Sequence, residues 1–369
     1  MYKAFTNATV LTGNETITGK AVIIDNNRIR AITDPGSVPS DARIIDCNNN
    51  FLAPGLIDLQ IAGGGGYLFS EKPSADALKA ISDSIVRTGT TSFLIAIPTN
   101  TFDVYSRVIA VAKANPLPAL MGFHFEGPYI STQRRGAHFL SCIRHPGKDE
   151  VDALMKKADS TIRMMTLAPE ICTREIIECL RSQNVVVAAG HSNATFREAV
   201  QGFNWGIQTT THLFNAMSQM HHRDPGLPGA TFETENIYAS IIADGIHVDY
   251  SMVSIAKKLM KERLFLISDA VEESSQGANP HKRQKDRFTL PDGTLSGSVL
   301  SMLTAVRNCV LHTGIELDEA LRMASEYPAR LMNLNDRGRI EPGLRADLIS
   351  FDRNFDVRFV VTNGELLNI

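Results

Sequence analysis

The chain lacks any continuous apolar stretch near the ~18 residues that a membrane span requires. Its opening segment, MYKAFTNATVLTGNETITG, has no apolar core of the kind a secretion signal carries. It also lacks a CxxC pair. The five cysteines, Cys47, Cys142, Cys172, Cys179 and Cys309, are odd in number and unpatterned, which argues against a disulfide framework and for buried or inert thiols in a reducing compartment. A cytoplasmic protein is expected. No long run of lysine or arginine occurs and the net charge is -3. Nucleic acid and anionic membranes need clustered positive charge, so both are disfavoured as partners and a small molecule is expected instead. Neither a fixed-length repeat nor a low-complexity tract is present.

What remains is an ordinary globular composition, 43% hydrophobic and 21% charged over 369 residues, enough for a sizeable core. That length fits one α/β barrel of about 250 residues plus a smaller module. Residues 1 to about 53 read as short strands, AVIIDN, RIRAI and RIIDC, separated by Asn, Gly and Pro turn signals. The carboxyl end, with ADLISFD and VRFVVTNGELL after Glu341-Pro342-Gly343, reads the same way. The predicted organisation is a small β-sandwich module from 1–53 and 345–369, and a barrel over 54–344. Within the barrel, eight apolar runs of strand length recur: GLIDLQIAG, TSFLIAIPT, ALMGFHFEGP, IRMMTLAPE, VVVAAGHS, QTTTHLFNAM, YASIIADG and LFLISDA. Runs apolar on both faces suit a buried parallel sheet, and most intervening segments carry helical spacing. One such segment, Ser74 to Arg87, puts Leu78, Ile81 and Ile85 on one face behind Ser74 as N-cap. The fold class predicted is an α/β, (β/α)8 TIM-like barrel. The polar insertion from Glu272 to about Asp286, with Lys282, Arg283, Lys285 and Arg287 in or beside it, reads as a solvated loop, with a mobile lid as the alternative.

Catalytic groups of such barrels gather at the carboxyl ends of strands. There the sequence offers Asp58-Leu59-Gln60, Glu126, His191, His212 and Asp269. Glu126, His191 and His212 supply one carboxylate and two imidazoles, the ligand set of an open zinc-type site completed by water. A lone histidine after an apolar run is more often structural, and a lone Glu before Gly-Pro can simply cap a loop. Three compatible ligands ending separate strands, with Asp269 beside them as an acid/base candidate, point to a metal centre.

These residues lie in ordered blocks: PGLIDLQIAGGGG, GFHFEGPYI, TLAPE, VVAAGHSNAT, THLFNAM, GLPGA, IIADGIHVD, SDA, GTLSGS and YPARLMNL followed by GRIEPGLRADLISFD. Over nearly its whole length the chain resembles the amidohydrolase superfamily and, within it, the N-acetylglucosamine-6-phosphate deacetylases. The resemblance implies one divalent metal held by Glu126, His191 and His212, zinc first, with iron, manganese or cobalt as alternatives. It implies Asp269 as general acid/base and His138 as the group polarising the acetyl carbonyl. Many amidohydrolases bind a second metal through HxH on strand one. Here Gln60-Ile61-Ala62 stands instead, and Ala62 has no ligand atom, so a single metal is expected. Gln60, Asn215, Ala216, Arg223 and His247 are implied as substrate-binding, the last four at positions that hold the sugar phosphate. A homodimer follows, with Arg223 reaching the neighbouring active site. His124 is expected to be a barrel-interior histidine, and His221 and His222 are given no role. The competing functions are deacetylation of the galactosamine epimer, hydrolysis of a cyclic amide, and a catalytically dead sugar-phosphate sensor. The last should have lost ligands that this chain keeps.

Overall fold

The computed structural model describes residues 2–274 and 280–369; part of the polar insertion, 275–279, lies outside the described residues. Eight parallel strands form the central sheet: β1 (Leu56–Ile61), β2 (Thr90–Pro98), β3 (Leu120–Glu126), β4 (Ile162–Leu167), β5 (Val186–Ala189), β6 (Thr209–Thr210), β7 (Tyr238–Ile241) and β8 (Leu264–Leu266). Each pairs with its sequence neighbour. The sheet closes where Asp269 N donates to Gln60 O at 2.9 Å and Ala62 N to Ala270 O at 2.8 Å. Closure removes both sheet edges; with side chains packed inside and helices outside, runs such as Leu94-Ile95 and Val186-Val187 are buried on both faces.

A helix follows every strand, as the alternating pattern predicts. The first spans Ala75–Arg87; the Ser74 hydroxyl accepts from Ala77 N at 3.1 Å, and Leu78, Ile81 and Ile85 are buried. Helical spacing places those three side chains on one stripe, so one face of the helix leaves water against the barrel.

The two chain ends build two further sheets. One is four-stranded, from Tyr2–Thr6, Ala21–Asp25, Arg28–Thr33 and Arg43–Asp46. The other is six-stranded and joins Thr9–Leu11, Thr16–Ile17 and Phe51–Pro54 to Leu348–Phe351, Val357–Thr362 and Glu365–Asn368. A second apolar core lies between them, with Phe5, Val22, Ile24, Leu52, Leu348 and Phe359 all buried.

Two local expectations differ from the structure. The sixth strand is two residues long because the chain after it turns left-handed at His212, Phe214 and Ala216. Within the described part of the polar insertion only Lys282–Arg283 is strand, and it pairs with residues that follow the insertion. Lys282–Arg283, Arg287–Thr289 and Leu295–Ser298 form an antiparallel sheet, tied to the barrel through Ala270 and Ser298. Phe288 and Leu290 are buried beneath it, while Lys282, Arg283 and Lys285 remain exposed.

Candidate metal centre

Glu126 ends β3, while His191 and His212 stand two residues past β5 and β6 and Asp269 three residues past β8. Just beyond the strands the backbone adopts unusual angles. His191 (φ 46°), His212 (φ 35°), Ala216 (φ 47°) and Asp269 (φ 50°) are all left-handed, a conformation costing about 1–3 kcal/mol for a residue with a Cβ. Turning the chain this sharply points the side chains inward over the barrel mouth. Close packing holds the turns: a Cβ on Gly190 would lie 2.8 Å from Thr166 Cγ2 and 2.9 Å from Thr211 Cβ.

Glu126, His191 and His212 are buried, with ligand atoms all within 4.8 Å of one another. Glu126 Oε1 lies 3.2 Å from His191 Nε2 and 3.0 Å from His212 Nε2, and the two Nε2 atoms are 3.1 Å apart. His191 Nδ1 donates to the Arg134 carbonyl at 3.0 Å, so in the neutral ring Nε2 carries a bare lone pair. A bare nitrogen, a second imidazole nitrogen and a carboxylate oxygen then face one another in a buried space. Such lone pairs repel unless a proton or a metal cation sits among them. Two imidazoles and a carboxylate are a fitting donor set for a divalent metal and leave positions open for water or substrate. Burial alone would raise the Glu126 pKa, but the His191 and His212 imidazoles packed against it in the metal-free site hold it well below the usual carboxylate value.

Asp269 Oδ1 and Glu126 Oε1 share one neighbour, the Gln60 amide, whose Nε2 donates to them at 2.9 and 3.0 Å. Burial, reinforced by the Glu126 charge, pushes the metal-free Asp269 carboxyl up to about 6. His138 is also buried. Its Nδ1 accepts from Thr99 N at 3.0 Å, which leaves Nε2 as the N–H donor of the neutral ring, 3.8 Å from Glu126 Oε2. Burial, with His191 nearby, pushes the His138 imidazole down to about 3, so it is neutral at ordinary pH.

One cavity of about 770 Å³ brings together Glu126, His138, His191, His212, Asn215, Ala216, His247 and Asp269. His247 Nδ1 bonds Asp244 Oδ2 at 2.6 Å, while its buried Nε2 has no hydrogen-bond partner among the described residues. Two expected site residues are not on the cavity wall. Gln60 is buried behind it, bridging Asp269 and Glu126, and Arg223 is exposed away from it. His124 is interior: Nδ1 donates to Leu59 O at 3.0 Å and Nε2 accepts from Thr166 Oγ1 at 2.7 Å. Burial pushes its imidazole down to about 4. His221 and His222 are exposed.

Sequence reasoning missed Arg134, whose carbonyl sets the His191 tautomer, and Thr99, whose amide sets that of His138. Both act through backbone atoms, which side-chain identity does not advertise. It also missed His281 and the Thr294–Gly297 wall of the cavity, contributed by the small sheet after β8.

A model of the amidohydrolase family matches residues 51–367, and one of the NagA composite domain matches residues 1–51. The chain belongs to the amidohydrolase family. Among curated relatives, this amidohydrolase is 31% identical to an N-acetylglucosamine-6-phosphate deacetylase of Haemophilus influenzae, over 99% of both chains. It is 35% identical to an N-acetylgalactosamine-6-phosphate deacetylase of Shewanella sp. (strain ANA-3), covering 86% of this chain and 83% of that one. Among solved structures, N-acetylglucosamine-6-phosphate deacetylase from Pasteurella multocida superposes with a TM-score of 0.96 at 33% identity, over 100% of both chains.

Proposed function

We propose that this amidohydrolase removes the acetyl group of N-acetylglucosamine 6-phosphate, releasing glucosamine 6-phosphate and acetate. The observation that carries the proposal is the meeting of Glu126, His191 and His212 with Asp269 and His138 on one cavity wall, in a chain whose full-length relatives bear that activity in their names. A divalent metal, zinc first with iron, manganese or cobalt as alternatives, would be held by Glu126, His191 and His212 and would activate water and polarise the amide oxygen. Asp269 takes the proton of the attacking water and returns it to the nitrogen, because an unprotonated amine leaves poorly. Gln60 holds Asp269 Oδ1, and no described residue hydrogen-bonds Oδ2, so that oxygen can face the water. The neutral His138 donates Nε2–H to the acetyl oxygen as negative charge develops there.

Asn215, Ala216 and His247 are the phosphate end of the cavity in this reading. The unpartnered His247 Nε2 supports it: Asp244 Oδ2 takes Nδ1–H, so an imidazolium at this position would present Nε2–H to a phosphate oxygen. Arg223 is exposed outside its own cavity, which fits a residue that reaches the partner's site in a homodimer. Its planar fork can give a phosphate two charge-assisted bonds. The division into 1–53 with 345–369 and 54–344 belongs to the same reading. So does a cytoplasmic setting, to which the five free cysteines are suited; no helix among the described residues is long and apolar enough to cross a membrane.

Acetate release from both epimeric 6-phosphates, measured on protein of known metal content, tests the assignment. Turnover of the glucosamine epimer above that of the galactosamine epimer is expected. The 35% identical relative makes the reverse order the second reading, and release from neither overturns both.

A further inference from the structure

His191 must hold a strained backbone angle and a fixed ring orientation at once, and the contacts that do this come from two neighbouring loops. From the loop after β3, Ser131 N donates to His191 O at 2.8 Å and the Arg134 carbonyl takes Nδ1–H. From the turn after β4 (Pro169–Ile171) comes a carboxylate. Glu170 Oε2 accepts from Ser192 Oγ at 2.7 Å, and Oε1 from Asn193 N at 2.6 Å. Ser192 Oγ in turn accepts from Ala194 N at 3.0 Å. No ion pair to Glu170 occurs among the described residues, so its charge is spent on the two residues that directly follow His191. The same segment carries the cavity's other end, since Ser192 N donates to Ala216 O at 3.2 Å and Ser218 N to Ser192 O at 2.9 Å.

We propose that Glu170 is a positioning residue for the metal centre, clamping the Ser192–Asn193 segment so that the left-handed His191 keeps Nε2 aimed at Glu126 and His212. The inference rests on the reading of Glu126, His191 and His212 as metal ligands. Both donors need an acceptor in a fixed place, and a carboxylate offers two equivalent oxygens. A glutamine offers one, and its amide N–H groups meet a donor at the other. Without the clamp the segment relaxes towards ordinary backbone angles and the imidazole swings off the ligand position. Groups that orient a metal-bound histidine from behind typically account for ~10–100-fold in metal affinity.

Competition for Zn²⁺ against a chromophoric chelator, run without substrate, measures this directly. Metal affinity should fall at least ~10-fold in Glu170→Ala and by less in Glu170→Gln and Ser192→Ala. Adding Ser192→Ala to Glu170→Ala should cost little more, because the hydrogen bond that Ser192 Oγ gives Glu170 is already lost. The visible absorption of the Co²⁺-loaded variants should shift as the His191 ligand loosens, a change that a merely structural role leaves absent. Wild-type chelator competition and an unshifted Co²⁺ spectrum in these variants, with only the metal-free melting temperature lowered, would overturn the proposal. Should Glu170→Ala fail to fold, Glu170→Gln and Ser192→Ala carry the comparison alone. A wild-type chain that retains no metal sinks the reading of the centre itself, a different outcome from unchanged variants.

Discussion

In the proposed reaction Asp269 and His138 divide the chemistry at the residue scale, one moving protons and the other donating a fixed one. Asp269→Asn keeps the shape and loses the base, so turnover should fall at least ~100-fold while metal content stays at the wild-type level. Parallel rate and elemental measurements check both halves. The pH profile carries a sign. Asp269 accepts a proton only when ionised, and burial places its metal-free carboxyl at about 6. A divalent cation nearby favours the ionised form and pulls the value lower. The acid limb of kcat/KM should therefore lie at or below pH 6, with activity lost as pH falls through it. A limb lying clearly above that pH, or one that persists unchanged in Asp269→Asn, assigns the proton transfer elsewhere. His138→Ala should lower kcat by roughly 10²–10³-fold, the usual loss when one oxyanion donor is removed. Because His138 Nε2 stands 3.8 Å from the nearer Glu126 oxygen, metal content should not follow; a stoichiometric loss of metal would instead make it a ligand.

The strand ends are the elements on which the centre depends. Gly190 closes β5 immediately before His191, and the nearest atoms to an added Cβ belong to Thr166 and Thr211. Both threonines are buried and hydrogen-bonded, Thr166 Oγ1 to Thr211 Oγ1 at 2.6 Å and to His124 Nε2. They cannot yield without disturbing the barrel interior. Gly190→Ala should therefore displace the segment that carries His191, lowering metal content and activity together. Elemental analysis of protein purified in the presence of added metal decides between that outcome and a site that absorbs the methyl group. The Glu170 clamp belongs to the same scale, since it holds the segment after His191 through Ser192 Oγ and Asn193 N and not through the ring.

At the scale of the whole molecule Arg223 stands apart, because within one chain it lies outside the cavity. If it completes the neighbour's phosphate site, Arg223→Ala should depress kcat/KM for the phosphorylated sugar far more than for the unphosphorylated one. Mixing Arg223→Ala chains with inactive Asp269→Asn chains should then restore activity, since a heterodimer contains one site with both residues intact. Confirmed subunit exchange without recovered activity would return Arg223 to its own chain or remove it from phosphate recognition.

Alternation of apolar runs with helical segments was enough to read the barrel from sequence, because a closed parallel sheet requires strands apolar on both faces. That Glu126, His191 and His212 would meet was legible for a related reason: each ends or follows such a run, and barrels gather functional groups at that end of the strands. The sequence could not display what depends on backbone atoms or on distant segments meeting. Arg134 and Thr99 set imidazole tautomers through a carbonyl and an amide, and Gln60 bridges two carboxylates rather than lining the cavity. Lys282–Arg283 of the polar stretch after β8 joins a sheet whose other strands, Arg287–Thr289 and Leu295–Ser298, follow it in the chain. Apolar pattern is a local property and survives in one dimension, and it determined the barrel. Which proton each histidine carries, and what holds His191 in a costly backbone angle, depends on contacts between residues many positions apart, and only the tertiary structure decided it.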